Sequence, residues 1–117
     1  EPSMFIMSKG YTAMSNLLDR MKNITAVFAM SDVMAMGAMR AIKDRGLRIP
    51  EDISVVGYDG IELTEYLVTK LTTIRQNREE IAKRSVDILI DKIENSGNAV
   101  HEIIPFRLIT GESTKSL

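Results

Sequence analysis

Apolar residues recur along this chain in two rhythms: short unbroken runs, and stripes at spacings of three and four. Met4-Phe5-Ile6-Met7 is an unbroken run that predicts a buried strand, and Tyr11, Met14, Leu17, Leu18 and Met21 beyond it have the spacing of one helical face. Thr25-Ala26-Val27-Phe28-Ala29-Met30 predicts a second strand. Ser31-Asp32 then offers hydroxyl and carboxylate acceptors to the N-terminus of a helix predicted at about 33–45, and Gly46 stands where a left-handed C-cap belongs. Pro50-Glu51-Asp52 turns the chain into a third strand, Ile53-Ser54-Val55-Val56-Gly57, and a loop with scattered charges covers 58–70. Leu71-Thr72-Thr73-Ile74 predicts a short strand. Asn77-Arg78-Glu79-Glu80 has the form of a capping box, opening a helix with Ile81, Ser85, Ile88, Leu89 and Ile93 on one stripe and Gly97 at its close. A last strand at about 103–110 ends the ordered chain.

The predicted order is β-α-β-α-β-loop-β-α-β, and the apolar runs are too uniform for a half-exposed antiparallel sheet. The expected fold class is therefore α/β, three layers, with helices on both faces of a mainly parallel sheet. Ligands of such sheets bind where the C-terminal ends of the strands and their loops gather. That rule selects Phe5, Ser31, Asp32 and Asp59 as candidate site residues. Asp32 is a helix cap or a ligand contact, with the cap favoured when the residue is taken alone. Ser31 competes for the same helix end. Asp59 emerges from a buried strand with no helix starting after it, so its carboxylate caps a loop or clasps vicinal hydroxyls or an amide edge. Phe5 is core, or a flat apolar wall for a sugar or base.

All eight methionines precede Arg40, and the helix after Asp32 is apolar on nearly all sides through its first two turns. A helix on a sheet buries one stripe, so a second apolar face needs another partner. A subunit interface holding Val33 and Met36 is the simplest one; a deeper core supplied by the rest of a longer chain is the alternative.

Composition narrows the function classes. The 15 basic residues are spread without a block and the net charge is −1, which gives no footprint for nucleic acid within these 117 residues. With no cysteine and a single histidine, His101, neither a thiolate metal site nor a hydrolase constellation assembles. No catalytic residue, cofactor or metal is expected, and no apolar stretch is long enough for a membrane span. The start at Glu1, opening directly into an apolar run, suggests a processed or truncated piece.

Three segments resemble one family. Ala26-Val27-Phe28-Ala29-Met30-Ser31-Asp32-Val33-Met34-Ala35-Met36-Gly37-Ala38, the stretch from Gly46-Leu47-Arg48-Ile49-Pro50 to Val56-Gly57-Tyr58-Asp59, and Leu71-Thr72-Thr73-Ile74-Arg75-Gln76 are similar in order and spacing to the lactose-repressor/galactose-repressor (LacI/GalR) regulators. The resemblance spans essentially the whole chain. It implies a cytoplasmic repressor with a helix-turn-helix head for operator DNA, a hinge, and a two-lobed sensor domain resembling periplasmic sugar-binding proteins. This chain would then be the last third: 1–70 an incomplete C-terminal lobe, 71–97 a crossover strand and helix of the N-terminal lobe, and 98–117 a returning strand and tail. Phe5 would stack on a small sugar-like effector, with Ser31 and Asp59 contacting its polar groups and Asp32 at a near-constant position. A homodimer would form through the helix at 33–42 and the loop near Leu67. A periplasmic transport receptor of the same fold is the alternative. Gly60 replaces a frequent acidic or Asn residue of the family, and Thr69-Lys70 replace a frequent Pro-Pro.

Overall fold

The computed structural model describes residues 2–95 and 100–116, with side chains from Met7 onward. Helix α1 (Pro2–Arg20) leads to strand β1 (Ala26–Phe28), helix α2 (Asp32–Asp44), strand β2 (Ser54–Asp59), a 3₁₀ turn (Glu62–Tyr66), strand β3 (Thr72–Gln76), helix α3 (Arg78–Asn95) and strand β4 (Phe106–Ile109). The strands form one sheet in the order β1-β2-β3-β4. β1 and β2 run parallel with Val27 opposite Val55, and β2 and β3 run parallel with Gly57 opposite Thr73. Two compact units result: Glu1–Arg75 with Leu108–Leu117, and Gln76–Arg107.

Residues 4–7 correct the first expectation: they are helical, the opening of α1, and not a strand. Four apolar residues in a row suit a buried strand or a helix turn equally. Pro2 is the first residue of α1, where its fixed φ is an advantage and its missing N–H costs nothing.

α2 begins and ends as its local sequence dictates. Ser31 is extended (φ −152°, ψ 157°) and its hydroxyl accepts the Met34 N–H at 3.2 Å. At the other end Gly46 takes φ +72°, its N–H reaches the Lys43 carbonyl, and the Leu47 N–H reaches the Ile42 carbonyl. This is the paired closure of a Schellman motif. Arg48 then grips Asp52 with Nε (2.9 Å) and a terminal nitrogen (2.7 Å), while its own N–H donates to the same carboxylate at 2.8 Å. These bonds hold the Asp52 carboxyl down at about 2. Because folding lowers this pKa, the contribution is complete above the ordinary value of 3.8 and is lost as pH falls toward about 2. Asp52→Asn should therefore flatten the acid limb of a plot of urea midpoint against pH over that window. An acid limb identical to wild type would assign it to other carboxylates.

The core of the first unit lies between α2 and the sheet, with Ala35, Ile42, Ile53 and Val55 fully buried or nearly so and Met14 of α1 closing it. α1 crosses α2 at two glycines. A Cβ on Gly37 would stand 2.1 Å from the Met7 carbonyl oxygen, and one on Gly10 would stand 2.3 Å from that of Met34. This crossing covers one apolar face of α2, that of Met34 and Gly37, with α1 of the same chain. Met36 is 9% exposed in a single chain. Val33 and Leu67 are half-buried, and Leu67 packs against the core.

The tail also departs from expectation. Residues 111–115 are bonded structure, not a loose end. Ser113 is completely buried between the starts of β2 and β3: its hydroxyl donates to the Val55 carbonyl (2.6 Å) and accepts the Thr72 N–H (2.8 Å). Its carbonyl accepts the Val55 N–H at 2.8 Å, and the N–H groups of Glu112 and Ser113 both reach the Lys70 carbonyl. β2 and β3 pair directly only from Val56 and Thr72 onward, so this segment fills the gap below.

In the second unit Asn77 caps α3: the Glu80 N–H donates to its side-chain oxygen at 3.3 Å, and its side-chain NH₂, in place of the backbone N–H of a full capping box, donates to the Glu80 carboxylate at 2.8 Å. α3 has no buried residue, and Val86, Leu89, Ile90 and Ile93 are exposed. Arg84 clamps Glu102 through two nitrogens beside a shallow cavity of about 350 Å³. Gly97, expected to close α3, lies outside the described residues.

Candidate functional site

Parallel pairing of β1 with β2 brings the segments that follow them, Ser31-Asp32 and Tyr58-Asp59-Gly60, to one edge of the sheet. The Ala29 N–H still bonds the Val56 carbonyl at 2.8 Å, so the two chains leave the sheet side by side. Ser31 is half-buried there. Capping uses one of its hydroxyl lone pairs and leaves the O–H and a second lone pair for another group.

Asp32 holds a different position from the one expected. It is the first residue of α2, not its cap, and it is wholly buried. One carboxylate oxygen accepts the Ile61 N–H at 2.8 Å, and the other accepts the Thr73 hydroxyl in a short hydrogen bond. Gly57 makes room for it, since a Cβ there would stand 2.4 Å from the Asp32 carboxylate. A buried carboxylate needs compensation. It finds two donors and the positive N-terminal end of α2. The carboxylate thus ties α2 to β3 and to the loop after β2.

Asp59 ends β2 half-buried, opposite Arg75 in the ladder, with φ +115°. It is the one described non-glycine residue with a positive φ. That conformation is sterically disfavoured for any residue with a Cβ and concentrates where a side chain must be aimed for a purpose. Gly60 follows with φ +67°, pressed so close to Arg75 that a Cβ would lie 2.6 Å from its Cα. In this structure a side chain at position 60 would collide with Arg75. Arg75 Nε donates to the Gly60 carbonyl at 3.2 Å, and its terminal nitrogen meets Glu65 at 2.8 Å. The buried Thr64 closes the 3₁₀ turn through its hydroxyl on the Ile61 carbonyl at 2.7 Å.

The structure therefore brings Ser31, Asp32 and Asp59 together at one sheet edge. The Phe5 backbone lies in α1, and its side chain is outside the described residues. Gly57, Thr73 and Arg75 stood in the family-like segments of the sequence, but no role was read for them. Two adjacent threonines, Thr72 and Thr73, at the buried start of β3 were the available sign.

The periplasmic binding protein-like domain model matches residues 3–114. The HTH-type transcriptional regulator MalR of Clostridium butyricum is 40% identical over 103 residues, covering 88% of this chain and 31% of that protein. A LacI family transcriptional regulator from Enterococcus faecium with bound ribose superposes with a TM-score of 0.83 at 38% identity, over 95% of this chain and 41% of that one. The lac repressor dimer bound to operator and the anti-inducer ONPF gives a TM-score of 0.87 at 34% identity, over 93% of this chain and 38% of that one. The chain spans about a third of the length of the curated relatives it matches. Among the described residues no helix is long and apolar enough to cross a membrane.

Proposed function

Because this chain belongs to the periplasmic-binding-protein-like family, among its LacI/GalR regulators, we propose that it is the effector-sensing part of a DNA-binding transcriptional repressor. The observation that carries this reading is Asp59: a carboxylate held at φ +115° where β2 emerges, beside Ser31 at the end of β1. A half-buried carboxylate and a hydroxyl at such an edge suit the vicinal hydroxyls of a sugar or a related polar metabolite. Solved relatives include complexes with ribose, cellobiose and lactose. The family resemblance supports Phe5 as a flat apolar wall for the effector, and Asp32 acts on the site through the backbone.

The rest of the reading follows from the family. The protein is no enzyme; it acts in the cytoplasm, as a homodimer, on operator DNA through a helix-turn-helix head outside this chain. Residues 71–97 serve the N-terminal lobe, and 98–117 return to the C-terminal lobe. Val33, Met36 and Leu67 face the dimer partner, together with the exposed Tyr66 and Val68. Effector between the lobes favours one lobe orientation, and the dimer passes that preference to the heads as a coupling free energy.

Titration calorimetry of the full-length regulator against ribose, cellobiose and lactose tests the site. For whichever sugar binds, Asp59→Ala should cost about 1.5–3 kcal/mol, the worth of a hydrogen bond to a charged group. Undiminished affinity in the variant would remove Asp59 from the contact surface.

A further inference from the structure

A positive φ at a non-glycine residue persists only where its surroundings over-determine it. The question at Asp59 is therefore what holds it. The two residues that follow are each fastened from outside the turn: Arg75 donates to the Gly60 carbonyl, and Asp32 accepts the Ile61 N–H. Both fasteners lead to one strand. Arg75 belongs to β3, and Asp32 is bonded to Thr73, two residues earlier on the same face of β3. Arg75 also reaches forward to Glu65, so the loop is fixed at residues 60, 61 and 65.

We propose that Asp32 and Arg75 are positioning residues that clamp the Asp59 turn to β3 and so keep its strained geometry formed before any ligand arrives. The proposal rests on the reading of Asp59 as an effector contact, but the clamp is a property of this chain alone and is testable without an effector. Asp32 works from the buried side through a carboxylate that neutral donors and a helix N-terminus stabilise. Arg75 works from the half-exposed side through its guanidinium. Losing either one frees the turn to relax toward negative φ at Asp59, at little expense to the distant end of α2.

Amide hydrogen exchange by NMR on this 117-residue chain discriminates the roles, with the three-bond HN–Hα coupling of Asp59 reporting its φ. In Asp32→Ala the Ile61 amide should exchange at least about tenfold faster, while Ala41 and Ile42 in α2 change by less than about twofold. Asp32→Asn should restore most of the protection, since its amide oxygen can accept the Ile61 N–H while its NH₂ donates to the Thr73 hydroxyl. Arg75→Met keeps the aliphatic stem and removes the donors, so it should shift the Asp59 coupling without touching α2. Equal acceleration across the turn and α2 would mean general stabilisation only and would overturn the proposal. So would an unchanged turn in Asp32→Ala or Arg75→Met. Should Asp32→Ala fail to fold, Arg75→Met decides by the same two readouts.

Discussion

Ser113→Ala should destabilise the first unit by about 2–6 kcal/mol, because a buried N–H and a buried carbonyl lose their partner together and each is worth about 1–3 kcal/mol when left unmet. The groups concerned are the Thr72 N–H and the Val55 carbonyl, with no solvent at the completely buried Ser113 to replace the hydroxyl. Ser113→Thr keeps the hydroxyl but is not a neutral exchange, since its extra methyl must enter the same closed gap. The backbone bond from Val55 to the Ser113 carbonyl survives the alanine substitution, so the fold should persist with a lower urea midpoint. A midpoint within error of wild type would show that β2 and β3 close on each other without this side chain.

The second large effect is expected at the crossing of α1 and α2. Alanine normally favours a helix over glycine by about 0.8–1 kcal/mol, so propensity alone makes Gly10→Ala and Gly37→Ala stabilising. Packing decides the other way. The new methyl would stand 2.3 Å or 2.1 Å from a carbonyl oxygen of the opposite helix, and backbone cannot rotate aside as a side chain does. The helices must separate, and overpacking of this kind costs about 1–3 kcal/mol or more, with Met14 and Met39 losing contact in addition. Each variant should therefore lose stability. The double variant should lose less than the sum, because helices already parted for one methyl have room for the other. Raised thermal midpoints in both single variants would show that the two helices do not approach this closely.

These two sites show where reading from sequence succeeded and where it stopped. Gly46 and Asn77 were legible because a cap is settled within a few residues: Gly46 meets Lys43 and Asn77 meets Glu80. The cap of α2 was legible only as the pair Ser31-Asp32, with Asp32 favoured, whereas Ser31 is the residue that meets Met34. The parallel sheet was legible from its uniformly apolar runs. Met4-Phe5-Ile6-Met7 misled because four apolar residues carry no period. The role of Asp32 was illegible for another reason. Its partners are 29 and 41 residues away, and nothing near Asp32 marks them. α2 was seen to carry more than one apolar face, and α1 covers the one at Met34 and Gly37; the glycines that permit this look like ordinary helix glycines until the helices cross. Asp59 was placed at the right strand end, whereas its positive φ depends on Arg75 and could be found only in three dimensions.

The clasp at Ser113 also orders events in time. Val55 leaves the ribosome 58 residues ahead of the serine that satisfies it. At about 5–20 residues per second, that interval lasts roughly 3–12 s. Throughout it, the lower half of β2 has no Ser113 on the side where β3 will stand, leaving the Val55 N–H and carbonyl without their final partner. A nascent chain stalled after β3 would offer that strand segment to any neighbouring polypeptide able to add a strand. Steady translation through residues 70–115 should thus favour soluble yield of this protein, and slow codons placed in that interval should lower it.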